Sequence, residues 1–320
     1  MDVQRWIARR ETQWQKLETL LKLLETKGLK SLKADEIALV ASLYRSVSAD
    51  LARAKTNQLG ETIIYYLQNL TSRSYSQIYQ GSRKQEWRAV LSFYVWGFPS
   101  AVYQSRSYIA IATGIFIVGA IIAWWFSWRD PSFLALVVPE RLISLVRDRG
   151  ELWMGSILGS EPLASSGIAI NNLTVCFRAV AGGITGGLLT AYFMFFNGIL
   201  LGAIAALVQQ NGLAFPFWAF VFPHGALELP AIFLAGGAGL LIAKALLFPG
   251  QYRRIDALKI YGNQAAQLMF GVVPLLLIAG AIEGFLSPNP AIPITFKYLV
   301  GTLLFVALLA YFQNRPSVKS

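Results

Sequence analysis

The chain has 320 residues, of which 55% are hydrophobic and only 14% are charged. An ordinary soluble domain carries about 25% charged residues, so this composition argues against a water-soluble enzyme, and the high hydrophobicity excludes a disordered chain. The net charge is nevertheless +11, from 28 basic and 17 acidic residues. A basic protein of this kind either binds nucleic acid or carries its positive charge on the cytoplasmic side of a membrane.

The first 106 residues hold 16 basic and nine acidic residues, a net charge of +7. They contain no apolar run of the roughly 18–20 residues that a membrane helix needs, and their charged start is not a signal peptide. Apolar stripes at helical spacing predict one helix that ends at Gly28, a second over 34–55 and a third near 59–79. We predict that these helices form a cytoplasmic helical domain over residues 1–84.

The rest of the chain has the composition of a membrane protein. Residues 85–106 mix Arg88 with aromatic side chains, which predicts an interfacial elbow helix and linker, with a fourth helix of the bundle as the alternative. Residues 107–313 are predicted to be a transmembrane domain, and 314–320 a cytoplasmic tail. Six apolar stretches predict about six spans, at 108–128, 168–187, 189–208, 227–247, 264–285 and 297–313.

The charges of the connecting segments predict the orientation. Segment 129–167 carries four basic and five acidic residues and is predicted to be an outer loop, with a short helix from Pro139 to Val146. Segment 249–262 and the tail are basic. Six spans with both termini in the cytoplasm put every basic segment inside, as the positive-inside rule requires. The charge therefore needs no nucleic-acid partner, and the predicted location is the cell membrane.

The segment Phe215–Pro230 does not fit either a span or a solvent loop. It is aromatic, uncharged before Glu228 and contains three prolines. A re-entrant or interfacial segment, whose backbone other parts of the protein bury, accounts for this composition. The fold class predicted from the whole pattern is therefore all-α: a polytopic membrane helix bundle with one such segment and an N-terminal cytoplasmic helical bundle.

A few ionisable residues lie inside the predicted spans, where each costs at least a few kcal/mol unless it is paired. Arg178, Glu228 and Glu283 are the main ones, whereas Lys244 and Lys297 can extend to an interface. One guanidinium facing two carboxylates is the simplest arrangement. It predicts either a structural ion-pair network or a site for a cation, a proton or a polar headgroup.

His224 and Glu228 stand four residues apart, a spacing that allows a metal site on a continuous helix. The signal is weak because the chain has one histidine and because Pro223 and Pro230 bracket the pair. The alternative is a histidine that caps the start of a helix. We therefore predict no metal and no cofactor. No nucleotide-binding, dinucleotide-binding or nucleophile-elbow motif is present, so no enzyme activity is predicted.

The run FVFPHGALELPAIFLAGGAGLLIAKALLFPG at 220–250 and the run IEGFLSP at 282–288 closely resemble the signature of the stage II sporulation protein M family. The segment around Trp14 and the LYR…DLA run at 43–52 also resemble that family. Apart from Glu283, the residues that match its motif are Pro223, His224, Gly225, Glu228, Pro230, Pro249, Gly250, Ser287 and Pro288.

The resemblance implies a bacterial or archaeal multi-pass membrane protein with a helical cytoplasmic N-terminal part. In spore formers the named member works with two partner proteins of the cell-wall-degrading engulfment machinery, as their membrane scaffold. No reaction is implied. The leading hypothesis is accordingly a membrane scaffold or assembly protein that organises membrane or cell-envelope proteins, with a homodimer through its small-residue helix faces. The competing hypothesis is a permease-like transporter or channel component, which requires a separate ATPase subunit and uses a polar site of Arg178, Glu228 and Glu283.

Overall fold

The computed structural model describes residues 3–27, 32–153 and 161–314. These residues are helical almost throughout and include no strand, which confirms the all-α prediction. The chain divides into two compact units, residues 1–92 and 93–320. The division falls inside the segment 85–106, whose interfacial position stays a prediction. Residues 154–160 of the predicted outer loop and 315–320 of the predicted tail lie outside the described residues.

The first unit confirms the three predicted N-terminal helices and adds a fourth. Its apolar stripes pack Trp14, Leu17 and Leu21 of the first helix against Val47 of the second and Leu67 of the third, all of them buried. Helical spacing of these residues directs each stripe toward a shared core. The elements are α1 (Val3–Lys27), α2 (Ala34–Thr56), α3 (Glu61–Tyr75), a π-helical turn (Ser76–Gln80) and α4 (Gly81–Ser92).

A buried carboxylate joins α1 to α2 within this unit. Asp50 is fully buried, and its Oδ2 atom accepts hydrogen bonds from Arg10 Nε at 2.8 Å and Trp14 Nε1 at 2.9 Å. Arg10 also donates to the hydroxyl of Ser46. Asp50 lies in the LYR…DLA run, so this run meets the segment around Trp14 at a hydrogen-bonded contact.

Ion pairs at the edge of the same core make the first unit sensitive to acid. Arg73 donates to both carboxylate oxygens of Glu25, and this lowers the pKa of Glu25 below its ordinary value of 4.5. A hydrogen bond from Tyr66 lowers the pKa of Glu18 in the same way. Because both carboxyl pKa values are depressed in the folded state, the stabilisation is present above about pH 4.5 and is lost as the pH falls below it.

We expect Arg73→Gln to remove the Glu25 part of this acid sensitivity. The measurement is amide hydrogen exchange of α3 in the full chain, compared between wild type and variant at each pH, because the intrinsic exchange rate then cancels. Wild type should be better protected at pH 6 and equal to the variant near pH 3. An advantage of wild type that persisted unchanged at pH 3 would contradict the assignment.

The second unit is a bundle of long apolar helices. Two short helices follow its first long helix, Arg106–Arg129, and precede the next one, Glu161–Ala181. These two short helices, Pro131–Val137 and Glu140–Arg149, bury Leu134, Ile143 and Val146 against Ala203 and Leu207 of the long helix Leu188–Gln210. The second of them confirms the helix predicted from Pro139. The elements are α5 (Phe98–Gln104), α6 (Arg106–Arg129), α7 (Pro131–Val137), α8 (Glu140–Arg149), α9 (Glu161–Ala181), α10 (Leu188–Gln210), α11 (Ala214–Leu247), α12 (Arg254–Ala281) and α13 (Ile294–Gln313).

Five helices of the described chain are long and apolar enough to cross a membrane: α6, α10, α11, α12 with the π-helical turn that follows it, and α13. Helix α9, which covers most of the predicted span 168–187, is not among them. Five of the six predicted spans meet this criterion, and the span at 168–187 does not. The physical reason is composition, because α9 carries Asn171, Asn172 and Arg178 in addition to its apolar residues.

Contacts between α6 and α10 show that these two helices run parallel. Residues farther along α6 contact residues farther along α10. This order holds to the end of both helices, where Gln210 donates to the Ser127 carbonyl at 2.9 Å. Helix α10 therefore begins at the level where α6 begins. The other contacting pairs are Phe116 with Gly198 and Ala120 with Gly202.

Helix α9 returns the chain between these parallel helices. Its last turn meets the start of α10, where the Thr190 hydroxyl donates to the Ala179 carbonyl at 2.7 Å. Twenty-one residues span about 31 Å, close to the thickness of a bilayer core. Helix α9 thus crosses the same layer as its neighbours despite its lower hydropathy, and α6 and α10 start on one side of that layer.

Glycines let the crossing helices touch backbone to backbone. A Cβ atom placed on Gly198 or Gly202 would collide with the carbonyl oxygens of Phe116 and Ala120 in α6. One placed on Gly239 would collide with the Ala179 carbonyl of α9. These three glycines are thus covered by contacts inside the chain, and the homodimer stays a prediction.

The predicted re-entrant segment at Phe215–Pro230 is wrong. Helix α11 runs without interruption from Ala214 to Leu247, with Pro223 and Pro230 inside it. A proline costs a helix one hydrogen bond, yet such a break is tolerated where protein rather than lipid surrounds it. Most residues from Phe217 to Ala245 are buried, so α11 is the central helix of the unit.

Helix α12 also contains a proline, and a tyrosine hydroxyl replaces the backbone hydrogen bond that this proline cannot make. Pro274 has no N–H group to offer to the Phe270 carbonyl one turn earlier. The Tyr94 hydroxyl donates to that carbonyl at 3.0 Å. The Tyr94 carbonyl in turn accepts a hydrogen bond from the Tyr311 hydroxyl. The segment just before α5 is thereby joined to both α12 and α13.

Candidate functional site

The polar residues of α11 lie on its N-terminal half. His224 and Glu228 are four residues apart on a continuous helix, so their side chains share one face. His224 is 5% exposed, and its ring packs edge-on against Phe220 with the centroids 5.5 Å apart. The two prolines on either side do not separate the pair, because the helix continues through both.

A change of helix type brings Glu283 to the same place. Helix α12 ends at Ala281 and continues as a π-helical turn from Ile282 to Leu286. Such turns are rare and are frequent at functional sites, because the wider turn redirects a side chain that an α-helix would send elsewhere. Here the redirected residue is Glu283, and Ser287 follows directly after the turn.

Together these side chains form a compact trio of one imidazole and two carboxylates. One ligand atom each from His224, Glu228 and Glu283 lies within 4.8 Å of the others. His224 Nε2 is 3.9 Å from Glu283 Oε1, and His224 Nδ1 is 3.2 Å from the Ser287 hydroxyl. The imidazole is therefore held between Ser287 on one side and the carboxylates on the other.

Both carboxylates of the trio have an unsatisfied oxygen. Glu228 Oε2 and Glu283 Oε2 are inaccessible to solvent and have no hydrogen-bond partner. Within the described part of the chain, no lysine or arginine forms a salt bridge with either side chain. A buried carboxylate without a partner is costly. The trio can therefore hold a cation or shared protons.

Lys297 lies beside the trio. It is 8% exposed at the start of α13, and its Nζ atom donates to the Ser287 carbonyl at 2.6 Å. The prediction that Lys297 extends to an interface is therefore wrong, because a backbone carbonyl inside the bundle binds its ammonium group. Lys244 behaves differently, since its Nζ lies over the rings of Tyr108 at 5.3 Å and Tyr261 at 4.5 Å.

Arg178 does not join the predicted cluster, and that part of the prediction is wrong. The buried face of α9 presents Cys176 and Ala179, whereas Arg178 lies on the exposed face in the last turn of the helix. A long cationic side chain at the end of a crossing helix extends to the interface and needs no buried partner. The structure brings together His224, Glu228 and Glu283 and leaves Arg178 outside.

The remaining motif residues shape the backbone. Pro223, Gly225 and Pro230 lie within α11, the first two of them buried. After α11 ends, Pro249 and Gly250 turn the chain toward α12, with Gly250 at a φ of +66°, a value that favours glycine. Pro288 follows the hydrogen-bonded Ser287.

A comparison with protein families gives the trio its context. The model of the family described as stage II sporulation protein M matches residues 112–288. The chain belongs to the stage II sporulation protein M family. The matched range begins in α6 and ends just after Ser287, so it contains all three residues of the trio, while Lys297 lies beyond it. The predicted family is confirmed, and so is its membrane character.

Other comparisons add no activity, and the N-terminal part matches a different family model. A model described as a domain of unknown function (DUF8413) matches residues 4–80, which hold α1 to α3. An uncharacterized protein of Methanocaldococcus jannaschii is 30% identical over 129 residues, which cover 39% of this chain and 71% of that protein. No solved structure matches the chain. The family and the fold are thus shown, and the role in the cell is left to inference.

Sequence reasoning missed two features of the site. The sequence marks Ser287 only as a motif residue and gives Lys297 no role, yet Ser287 contacts the imidazole and Lys297 donates to the Ser287 carbonyl. A signal was present in principle: Lys297 is a cation in an apolar stretch, three residues into α13. The π-helical turn that places Glu283 has no comparable signature in the sequence.

Proposed function

We propose that this member of the stage II sporulation protein M family is a non-enzymatic membrane assembly protein that organises partner proteins of the cell envelope. The observation that carries the proposal is the direct backbone contact between crossing helices at Gly198, Gly202 and Gly239. Such contacts make the second unit a closed, rigid platform. The first unit, with its own core, supplies a surface for partners outside the bilayer.

The proposed setting is the plasma membrane of a bacterium or archaeon, with both termini in the cytoplasm. Six helices that cross one layer put the start of α6 and the end of α13 on the same side. Arg106, Arg178, Lys244 and Arg254 lie at helix ends on that side. The positive-inside rule then favours this side as the cytoplasmic one.

The test is purification of the full chain in mild detergent after chemical crosslinking in cells, followed by identification of the crosslinked residues. We expect crosslinks from exposed lysines of α1 and α2 to membrane or envelope proteins. Asp50→Ala, which disrupts the α1–α2 contact, should lose these crosslinks while the protein still inserts. Stoichiometric retention of an ATPase subunit instead would contradict the proposal.

One observation favours a second candidate, a permease-like subunit. The buried trio of His224, Glu228 and Glu283 is the kind of intramembrane polar site that transporters use. Arg178, which the sequence predicts as a member of that site, is not part of it. Flux of a solute in reconstituted vesicles that depends on an added ATPase subunit and fails in Glu283→Gln would establish this candidate over the assembly role.

A further inference from the structure

The trio offers three metal ligands on two helices, and a water molecule would supply the fourth. His224 and Glu228 come from α11, and Glu283 comes from the turn that ends α12. One imidazole and two carboxylates suit divalent cations of the zinc class. Nitrogen and oxygen ligands on one tetrahedral zinc ion lie about 3.3–3.6 Å apart. The ligand atoms of the trio lie within 4.8 Å of one another, so they must approach by up to roughly 1.5 Å, which rotation of the two glutamate side chains can supply.

The orientation of the histidine is that of a metal ligand. Its Nδ1 atom faces the Ser287 hydroxyl at 3.2 Å, and Nε2 faces the carboxylates. A metal-binding imidazole usually donates one N–H to a neighbour, which fixes the ring and leaves the other nitrogen free for the ion. The histidine side chain is 6% exposed, so its free nitrogen is aimed into the trio rather than toward solvent.

The charge of the trio provides an independent indication. Two carboxylates lie beside each other, and each keeps one buried oxygen without a partner. The ammonium group of Lys297 donates to the Ser287 carbonyl instead. A divalent ion between the carboxylates would satisfy both orphaned oxygens and neutralise their charge.

We propose that His224, Glu228 and Glu283 bind a divalent metal ion of the zinc class, which links α11 to the end of α12. The site is a structural connection between the two helices on the side of the bundle opposite Lys244. It does not depend on the assembly role. Glu283 has a side chain 14% exposed, which leaves a route for the ion to enter.

The test uses the full chain, purified in detergent without a metal-affinity column, stripped with EDTA and titrated with Zn²⁺. We expect about one equivalent of zinc per chain by elemental analysis and a rise in Tm of at least about 5 °C on reloading. Glu228→Gln and Glu283→Gln should each weaken binding by at least about tenfold. Glu140→Gln, at the start of α8, is the matched control and should bind as wild type does.

A second measurement needs no variant. The chain has a single histidine, so ¹⁵N-histidine labelling gives one imidazole signal. Zinc should shift the Nε2 resonance strongly. A folded wild-type protein whose Nε2 resonance did not change on addition of zinc would overturn the proposal. Zinc uptake that was equal in wild type, Glu228→Gln and Glu283→Gln would overturn it as well.

Discussion

Gly202→Ala should destabilise the membrane unit, even though alanine is the better helix former. The added methyl group meets the Ala120 carbonyl of α6, which is backbone and cannot move aside as a flexible side chain could. Overpacking of this kind costs about 1–3 kcal/mol, and the rigid partner places this case at the upper end. We expect a clear fall in the thermal midpoint in detergent, followed by intrinsic fluorescence of the nine tryptophans.

Gly114→Ala provides the matched control, because it makes the same change in the other helix of the pair. A Cβ atom on Gly114 has no neighbour within 4 Å. Alanine should therefore stabilise α6 there by about 0.5–1 kcal/mol. The same substitution thus has opposite signs at the two sites. An equal response at both would show that α6 and α10 do not touch through Gly202.

Asp50→Ala should unfold the contact between α1 and α2. Removing the carboxylate leaves the Trp14 N–H buried without its acceptor and takes away the ion-pair partner of Arg10. Breaking a buried charge pair on one side costs about 3–5 kcal/mol, and the partial exposure of Arg10 places the loss near the lower value. We expect hydrogen exchange in α1 and α2 to accelerate by two orders of magnitude or more.

Asp35→Asn serves as the comparison in the same helix, since Asp35 is exposed in the first turn of α2. It should change protection by less than about tenfold, because it alters only a helix-end interaction. Exchange in the membrane helices should stay as in wild type for both variants. Equal protection in Asp50→Ala and Asp35→Asn would contradict the central role of the buried carboxylate.

The sequence predicts the N-terminal helices well because their cores follow a helical stripe. The residues from Trp14 to Leu24 are apolar at the spacing that the folded unit buries. Apolar stretches predict all six crossing helices for the same physical reason. The signal is weakest for α9, whose polar residues keep it below the hydropathy of the other five. The sequence pattern does not predict the continuous helix at Phe215–Pro230, because the burial that makes an intrahelical proline tolerable is a tertiary property.

The candidate site could be predicted only in part. Helical spacing places His224 and Glu228 on one face, and the cost of intramembrane charge singles out Glu283. The assignment of Arg178 as their partner assumed that every charge in a span is buried, but the rotation of α9 turns this side chain outward. The position of Glu283 relative to Glu228 depends on a π-helical turn and on how α11 packs with α12. Neither property is local in sequence.

The parallel arrangement of α6 and α10 has a consequence for synthesis of the chain. Neighbouring helices in sequence pair as antiparallel hairpins, but α6 cannot meet α10 until α7, α8 and α9 have been made. Because a chain leaves the ribosome from its N-terminus, α6 first enters the bilayer without the glycine surface it will later contact. A chaperone or insertase that covers the exposed face of α6 would therefore act after α6 has entered the bilayer and before α10 enters it.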